Sequence, residues 1–440
     1  MELVLGIFLV WATVFSKHRI LFFVTFFSLF ADVLRINVVG SMLSAHFVGF
    51  LVLPFVFQNR AYLRELKLIR TPLFILIILY LVSFFYFGVF DPWIDISGLR
   101  SWGQQSFGRS LISISRLISE ISIFLYIYLI IRTGKVDKDL ILKYLKIMLV
   151  VGFVVAVLDR MVLGHRIVET LFYFRADLAN RFIGLNGEPK VFGRSMSLTI
   201  ALLIALGRLD KDWPYVMVAA IGLVLSNSAS AFVMLFMFLV AVVLLRKNLV
   251  LKILMVSMLV VFFFIDFKLI ISNLSFLYSK ETVRKIEKVV YSEDQEWIEN
   301  EPFLFKKFDI FDRLALIFFK ESPEYLAFGV GPNLVHIPSS KYIPKHSIFY
   351  TEKRIDSVPN NMIVNQLSSV GIIGLIIWAW FFFRTNKIIS LSVKQDYIFI
   401  FYTGIIFGMV FFSVHTLYII AIALGASVKD MNSVVNYERG

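Results

Sequence analysis

Apolar runs of about 20 residues fill most of this chain, and the pattern is broken once at length, between Ile271 and Val358. A run of about 20 apolar residues is what an α-helix needs to cross the hydrocarbon layer of a bilayer. Backbone N–H and C=O groups find no water there, so only helices and closed barrels can span it. The runs here are continuous rather than alternating, which favours helices over a barrel. The sequence therefore predicts an all-α polytopic membrane protein with about 12 transmembrane helices. Composition agrees, since 59% of the 440 residues are hydrophobic and 47 are Phe. The expected spans are 2–16, 19–34, 37–57, 71–90, 111–131, 143–163, 189–207, 214–229, 230–246, 249–271, 358–383 and 397–425. Three regions follow: N-terminal transmembrane helices over 1–271, a large loop with short helices over 272–357, and C-terminal transmembrane helices over 358–440.

A net charge of +13 would suggest a nucleic-acid partner for a soluble protein. Here Lys and Arg gather in short connectors, as the positive-inside rule requires, and no nucleic acid is expected. The clusters are Arg60/Arg64/Lys67/Arg70, Arg132/Lys135/Lys138/Lys143, Arg208/Lys211, Arg246/Lys247 and Arg384/Lys387. All five fall on one side when the spans are counted through. Segments 91–110, 164–188 and 272–357 then lie on the outer face. The last balances its acidic and basic residues almost evenly, and loops of its length escape the orientation rule. The first apolar run, Leu3–Phe15, is followed rather than preceded by basic residues, Lys17 and Arg19, so it reads as a retained helix and not a cleaved signal. The absence of cysteine excludes disulfides, thiolate catalysis and Cys-ligated zinc.

Three stretches on the expected outer face carry polar chemistry. Residues 175–194 place Arg175 and Arg181 where the orientation rule does not call for basic residues, and Glu188-Pro189 opens a helix. Surface arginines beside a capped helix would explain them; so would a phosphate clamp, because a guanidinium grips phosphate oxygens through paired hydrogen bonds. The second stretch runs from Asp312-Arg313, on an amphipathic segment expected along the membrane surface, to Phe328-Gly329-Val330-Gly331-Pro332-Asn333. Gly329 and Gly331 permit a close backbone approach to a ligand. The third, 356–374, starts a helix near Ser357 and Pro359 and sets Asn361 and Asn365 one turn apart on one face, with Gly371 and Gly374 suited to tight helix packing. Elsewhere, Arg116 and Glu120 are spaced to neutralise each other on one helix, and Asp159/Arg160 lie near a membrane boundary where long side chains snorkel. His336 and His346 lack the spacing of a metal site, and no metal is expected.

These stretches resemble the O-antigen polymerase and O-antigen ligase superfamily. The similar pattern is R-F-I-G-L-N-G-E-P-K-V-F-G (Arg181–Gly193), L-S-N-S-A-S-A-F (Leu225–Phe232), R-L-A-L-I-F-F (Arg313–Phe319) leading to F-G-V-G-P-N (Phe328–Asn333), and N-N-M-I-V-N-Q-L-S-S-V-G-I-I-G (Asn360–Gly374). The resemblance implies a glycosyltransferase of the GT-C type in the bacterial inner membrane, with its active site facing the periplasm. Its substrate would be an oligosaccharide on undecaprenyl diphosphate. Partners would be membrane lipids and a chain-length regulator protein, with no cofactor. Ligases of this group carry His, then Asn, Ser or Gln, nine residues, and G-x-x-G; here the spacing holds but the His position is Asn360, and Ala229 stands where an arginine is often found. The missing imidazole favours a polymerase over a ligase, and a lipid-linked oligosaccharide flippase is the rival from another class. On the polymerase reading Arg181, Arg313 and Glu188 are catalytic candidates, with Glu188 or His336 as the base. Arg175, His336, Asn360, Asn361 and Asn365 are the substrate-binding candidates.

Overall fold

The computed structural model describes residues 2–28, 35–37, 41–93, 105–162, 182–186, 189–207, 209–226, 228–245, 310–342, 359, 361–391, 396–410 and 414–438. A helical hairpin comes first, α1 (Glu2–Val14) and α2 (His18–Ser28). An antiparallel pair of short strands, β1 (Arg35–Asn37) and β2 (Ser41–Leu43), follows with Ile36 opposite Met42. Next come α3 (Ser44–Leu51) and α4 (Leu53–Gln58). The continuous helix expected over 37–57 is thus replaced by a strand pair and two short helices. Pro54 explains the second division: it has no N–H for the preceding turn and sits in the first turn of α4, where none is needed.

The longer helices are α5 (Lys67–Ser83), which continues into a π-helical turn at Phe84–Val89, α6 (Ser106–Arg132), and α7 (Lys138–Val157), which continues into a second π-turn at Leu158–Val162. Then come α8 (Pro189–Leu206), α9 (Leu209–Ser226) and α10 (Ala229–Leu245). The described part of the large loop holds the amphipathic helix α11 (Ile310–Glu321) and the short α12 (His336–Ser339). The chain ends with α13 (Met362–Ser390), α14 (Asp396–Val410) and α15 (Val414–Glu438). The apolar region 397–425 is therefore two helices. Gly408 lets them close: a β-carbon there would lie 2.6 Å from the Thr416 hydroxyl.

Four helical stretches are long and apolar enough to cross a membrane, Tyr62–Val89, Ser106–Arg132, Lys138–Val162 and Met362–Ser390, and shorter apolar helices accompany them. The protein is a helical membrane protein. Its outward faces say the same: α1 exposes Val4, Ile7, Trp11 and Val14, and α5 exposes Phe74, Ile78, Val82 and Phe85. On α5 the opposite face buries Leu73, Leu76, Tyr80 and Phe84 at helical spacing. A soluble surface does not carry continuous apolar stripes of this size; lipid covers them. The centre is α6, buried over 72% of its most apolar window. Against it lies α15, whose residues from Leu417 through Leu424 are all inaccessible. Gly425 permits that approach, since a β-carbon would stand 3.1 Å from the Tyr128 carbonyl and from Ile131. Close van der Waals contact of this kind is what holds helices together where lipid is as apolar as the core.

The two ends of α6 meet different parts of the protein. At its C-terminal end Arg132 and Tyr128 bind Glu65, at 2.9 and 2.8 Å. Lys135 meets His18 at 2.9 Å, and Lys138 pairs with Asp396 at 3.7 Å. Lys146, about two turns into α7, pairs with Asp212 near the start of α9. Four of the five basic connectors thus gather on one face. Toward the N-terminal end of α6, Ser113 accepts a 2.7 Å hydrogen bond from Asn333 Nδ2 of the large loop. Ser113 and Arg132 are separated by about 28 Å of helix, so the described part of the loop sits at the face opposite the basic connectors. Asp159, near the end of the Lys138–Val162 span, is 1% exposed within the π-turn after α7.

Candidate functional site

The site forms where the large loop meets α13, and it begins with a break in that helix. Gly371 has φ +69° and ψ −168°, a combination that only glycine adopts without strain. Breaking a membrane helix leaves N–H and C=O groups that must be satisfied by protein. The loop satisfies them: Ile372 N–H donates to Leu326 O at 2.9 Å, Ile373 N–H to Ala327 O at 3.3 Å, and Val330 N–H to Ser368 O at 2.8 Å. Ser83 on α5 donates to Ser369 O at 3.2 Å. Gly329 is the reciprocal feature, with φ +75° and a missing β-carbon that would fall 2.7 Å from Ser368 O. The glycines at 329 and 371 therefore bring two backbones together. Gly371 does not serve helix packing, and the close approach that Gly329 permits is to α13.

Beneath the break, Gln366 Oε1 accepts from the Tyr80 hydroxyl at 2.6 Å and from Trp378 Nε1 at 2.8 Å. In a straight helix residues 366 and 378 would stand about 18 Å apart along the axis, beyond the combined reach of the two side chains. The hydrogen bond requires the two halves of α13 to bend towards each other. All three side chains are buried. Gln366→Leu would strand two buried donors, each worth roughly 1–3 kcal/mol when unsatisfied. The expected loss is about 2–3 kcal/mol in detergent unfolding, with Gln366→Glu closer to wild type because it keeps an acceptor.

The first half of α13 is tied to α11 through its cap. Asn361 Oδ1 accepts from Ile363 N–H at 2.9 Å and Val364 N–H at 3.4 Å, satisfying donors that begin every helix. The Asn361 N–H donates to the buried Asp312 carboxylate at 3.1 Å. Asn365 donates from Nδ2 to Pro359 O at 3.1 Å, and its Oδ1 accepts from Ser369 at 3.3 Å. The helix start lies at Asn361, beyond Pro359. Arg313, next to Asp312, is half-buried on α11, whose other face buries Leu314, Ala315, Phe318 and Phe319. His336 is 4% exposed at the start of α12, which packs on α11. Arg313, His336, Asn361 and Asn365 thus belong to one assembly, while Arg175, Arg181, Glu188 and Asn360 lie outside the described residues. Sequence reasoning missed Asp312 as a cap partner and Gln366 as an acceptor; a carboxylate beside Arg313 and an amide inside an apolar helix were the available signals.

Beside the break a cleft of about 420 Å³ opens between the end of α5 and the loop, lined among others by Val82, Ser83, Tyr86, Glu324, Tyr325 and Phe328. Phe87 forms one wall, stacked on Trp93 with centroids 5.5 Å apart, and Tyr325 packs against both rings. Val82, Tyr86 and Phe328 are also exposed on the outer surface. Among the described residues the cleft is apolar with a few hydroxyls and the Glu324 carboxylate, a lining that accepts an apolar chain bearing a polar group. Among the described residues no three His, Asp or Glu side chains gather closely enough to hold a metal ion.

A second polar locus lies deeper. His46 Nε2 meets Glu120 Oε1 at 3.2 Å between α3 and α6, with side chains only 8% and 12% exposed. Ser119, one residue earlier on α6, donates to the His46 carbonyl. The sequence spacing had suggested only Arg116 as a neighbour for Glu120; the histidine comes from a helix 74 residues away. No protein-family model matches this sequence, and no curated protein matches it.

Proposed function

We propose that the protein is a membrane glycosyltransferase of the O-antigen polymerase kind. It has about 12 spans in a GT-C arrangement, lies in the bacterial inner membrane and works at the periplasmic face. The observation that supports this reading most is the meeting of the motifs on which the resemblance rests. R-L-A-L-I-F-F, F-G-V-G-P-N and N-N-M-I-V-N-Q-L-S-S-V-G-I-I-G are separated in sequence, yet the last two are joined by Val330 to Ser368, and residues flanking the first two, Asp312 and Leu326, bond to Asn361 and Ile372. They lie on the face opposite the basic connectors, beside a cleft open to the apolar surface.

In the proposed reaction a sugar hydroxyl of one lipid-linked repeat attacks the anomeric carbon of a glycan on undecaprenyl diphosphate. A C–O bond forms to the acceptor, the C–O bond to the diphosphate breaks, and the electron pair leaves with the phosphate oxygen. The acceptor proton passes to a base, for which Glu188 and His336 are the candidates. Charge grows on the departing diphosphate, and Arg313 and Arg181 are the cations proposed to stabilise it, with Arg175 near the same substrate. Asn360, Asn361 and Asn365 would orient sugars; the hydrogen bonds of Asn361 and Asn365 described above also hold the helix start in place. Two lipid-held substrates in one cavity gain further from proximity.

Turnover of a purified lipid-linked repeat unit tests this. Arg313→Ala is expected to lower the rate by about 10²–10³-fold, the scale seen when a transition-state donor is removed, while membrane insertion and unfolding temperature hold. Arg313→Lys should recover part of the loss. Wild-type rates in Arg313→Ala would remove the diphosphate clamp, and no elongation by wild-type protein would remove the polymerase reading.

A further inference from the structure

On the face that carries the basic connectors, far from the cleft, a second pocket of about 400 Å³ lies between the α1–α2 turn and the α6–α7 turn. Its lining is Ser16, Lys17, His18, Arg19, Ile20 and Lys135. Three cations converge on it from two different connectors, and among the described residues the lining contains no carboxylate. Among the described residues none of the three forms an ion pair with an acid. The Lys135 ammonium instead donates to His18 Nε2 at 2.9 Å and stands 4.6 Å above the Phe55 ring. His18 is fixed in turn by Phe55 and by the Tyr126 hydroxyl, 3.1 Å from its Nδ1.

The three cations stand exposed around the pocket, and His18 between them is half-buried. Burial pushes the His18 pKa down to about 4, and the neighbouring Lys135 charge pushes the same way. Burial also lowers the Lys135 pKa. An anion seated among Lys17, Arg19 and Lys135 would reverse both effects. Orientation alone explains why basic residues occur on this face, but it asks only for charge in the connectors. It does not account for a cavity into which charges from two connectors point, with an amine held on an aromatic ring. Basic pockets between helix ends at this level of a membrane recognise the phosphates of anionic lipid headgroups.

We propose that this pocket is a binding site for a phosphate group, carried by an anionic lipid of the adjoining leaflet or free in solution. Lys17 and Arg19 supply direct contacts, with Arg19 able to hold two oxygens at once. Lys135 closes the inner wall against His18. The site is independent of the glycosyltransferase reading, since it lies at the opposite face.

The test uses the full chain in nanodiscs of phosphatidylcholine with graded phosphatidylglycerol, counting retained lipid by native mass spectrometry after mild extraction. Wild type is expected to retain phosphatidylglycerol at least five-fold over phosphatidylcholine, and Lys17→Gln/Arg19→Gln to lose that preference. Arg60→Gln/Arg64→Gln, which removes equal charge from another connector on the same face, should keep it. Inorganic phosphate separates the sources: displacement of the lipid at millimolar phosphate assigns a free anion, and retention assigns the headgroup. Equal loss in both double variants, or no preference in wild type, would overturn the site. Unfolding temperature, expected to match in all three proteins, shows that the substitutions leave the fold intact.

Discussion

Gly371→Ala is expected to destabilise the protein by roughly 3 kcal/mol or more, against the usual direction for this exchange. In an ordinary helix, alanine is favoured over glycine by about 1 kcal/mol. Here the backbone occupies a region that a β-carbon makes costly, and that carbon would fall on the Ala327 carbonyl and the Phe328 amide. Neither can move away as a flexible side chain could, because the same backbone supplies the Leu326 and Ala327 acceptors and the Val330 donor that fill the helix break. The loop must either undock or drag α13 with it. Two controls separate this from a general intolerance of alanine. Gly152 lies inside α7 with open space around it, so Gly152→Ala should stabilise the protein by up to about 1 kcal/mol. In Gly374→Ala the nearest atoms to the new carbon belong to side chains, Val370 and a more distant Leu79, so an intermediate loss is expected. Denaturant unfolding in detergent gives the ranking, and limited proteolysis should find bonds near Phe328 newly accessible in Gly371→Ala. A Gly371→Ala protein as stable as Gly152→Ala would show that the break is not held by the loop.

What could be read beforehand follows the range of the signal. A membrane helix announces itself through some 20 consecutive residues, so α5, α6, α7 and α8 fall close to their expected places. Phe311–Phe319 was legible as amphipathic because four core residues of α11 repeat at helical spacing. The segment 37–57 failed because one proline and a strand pair interrupt a run whose apolar content looks continuous. The site was legible as residue types but not as contacts. Gly329, Gly331 and Gly371 stand out in the sequence, yet nothing local tells that residues some 40 apart share one set of backbone hydrogen bonds. Asp312 and Asn361 have the same history: each is an ordinary helix-end residue until folding places one beneath the other. Arg313 shows the limit, since an arginine on an amphipathic helix reads equally as a snorkelling side chain or as a clamp.

The pair formed by His46 and Glu120 carries the second large effect. Glu120 lies 14 residues after Ser106 and 12 before Arg132, so about 21 Å and 18 Å of helix separate it from the two ends of α6. That is near the bilayer midplane, where ionisable groups must be paired or line a cavity. Removing one partner leaves a buried polar group without this contact, which costs about 1–3 kcal/mol. Glu120→Ala is expected to lose stability on that scale, and Glu120→Gln less, because an amide oxygen can still accept from His46. Replacing both residues with leucine removes the need for pairing, and buried pairs replaced whole by apolar residues are often neutral or better. The His46→Leu/Glu120→Leu protein should therefore be more stable than either His46→Leu or Glu120→Leu alone, a reversal that two additive losses cannot produce. Additive losses would mean that the two side chains act separately and that their 3.2 Å approach carries no energy. The double variant also separates fold from function. If it is stable yet lacks the proposed elongation of a lipid-linked glycan that wild type is expected to show, the pair is kept at midplane for activity, since stability alone would favour leucine there.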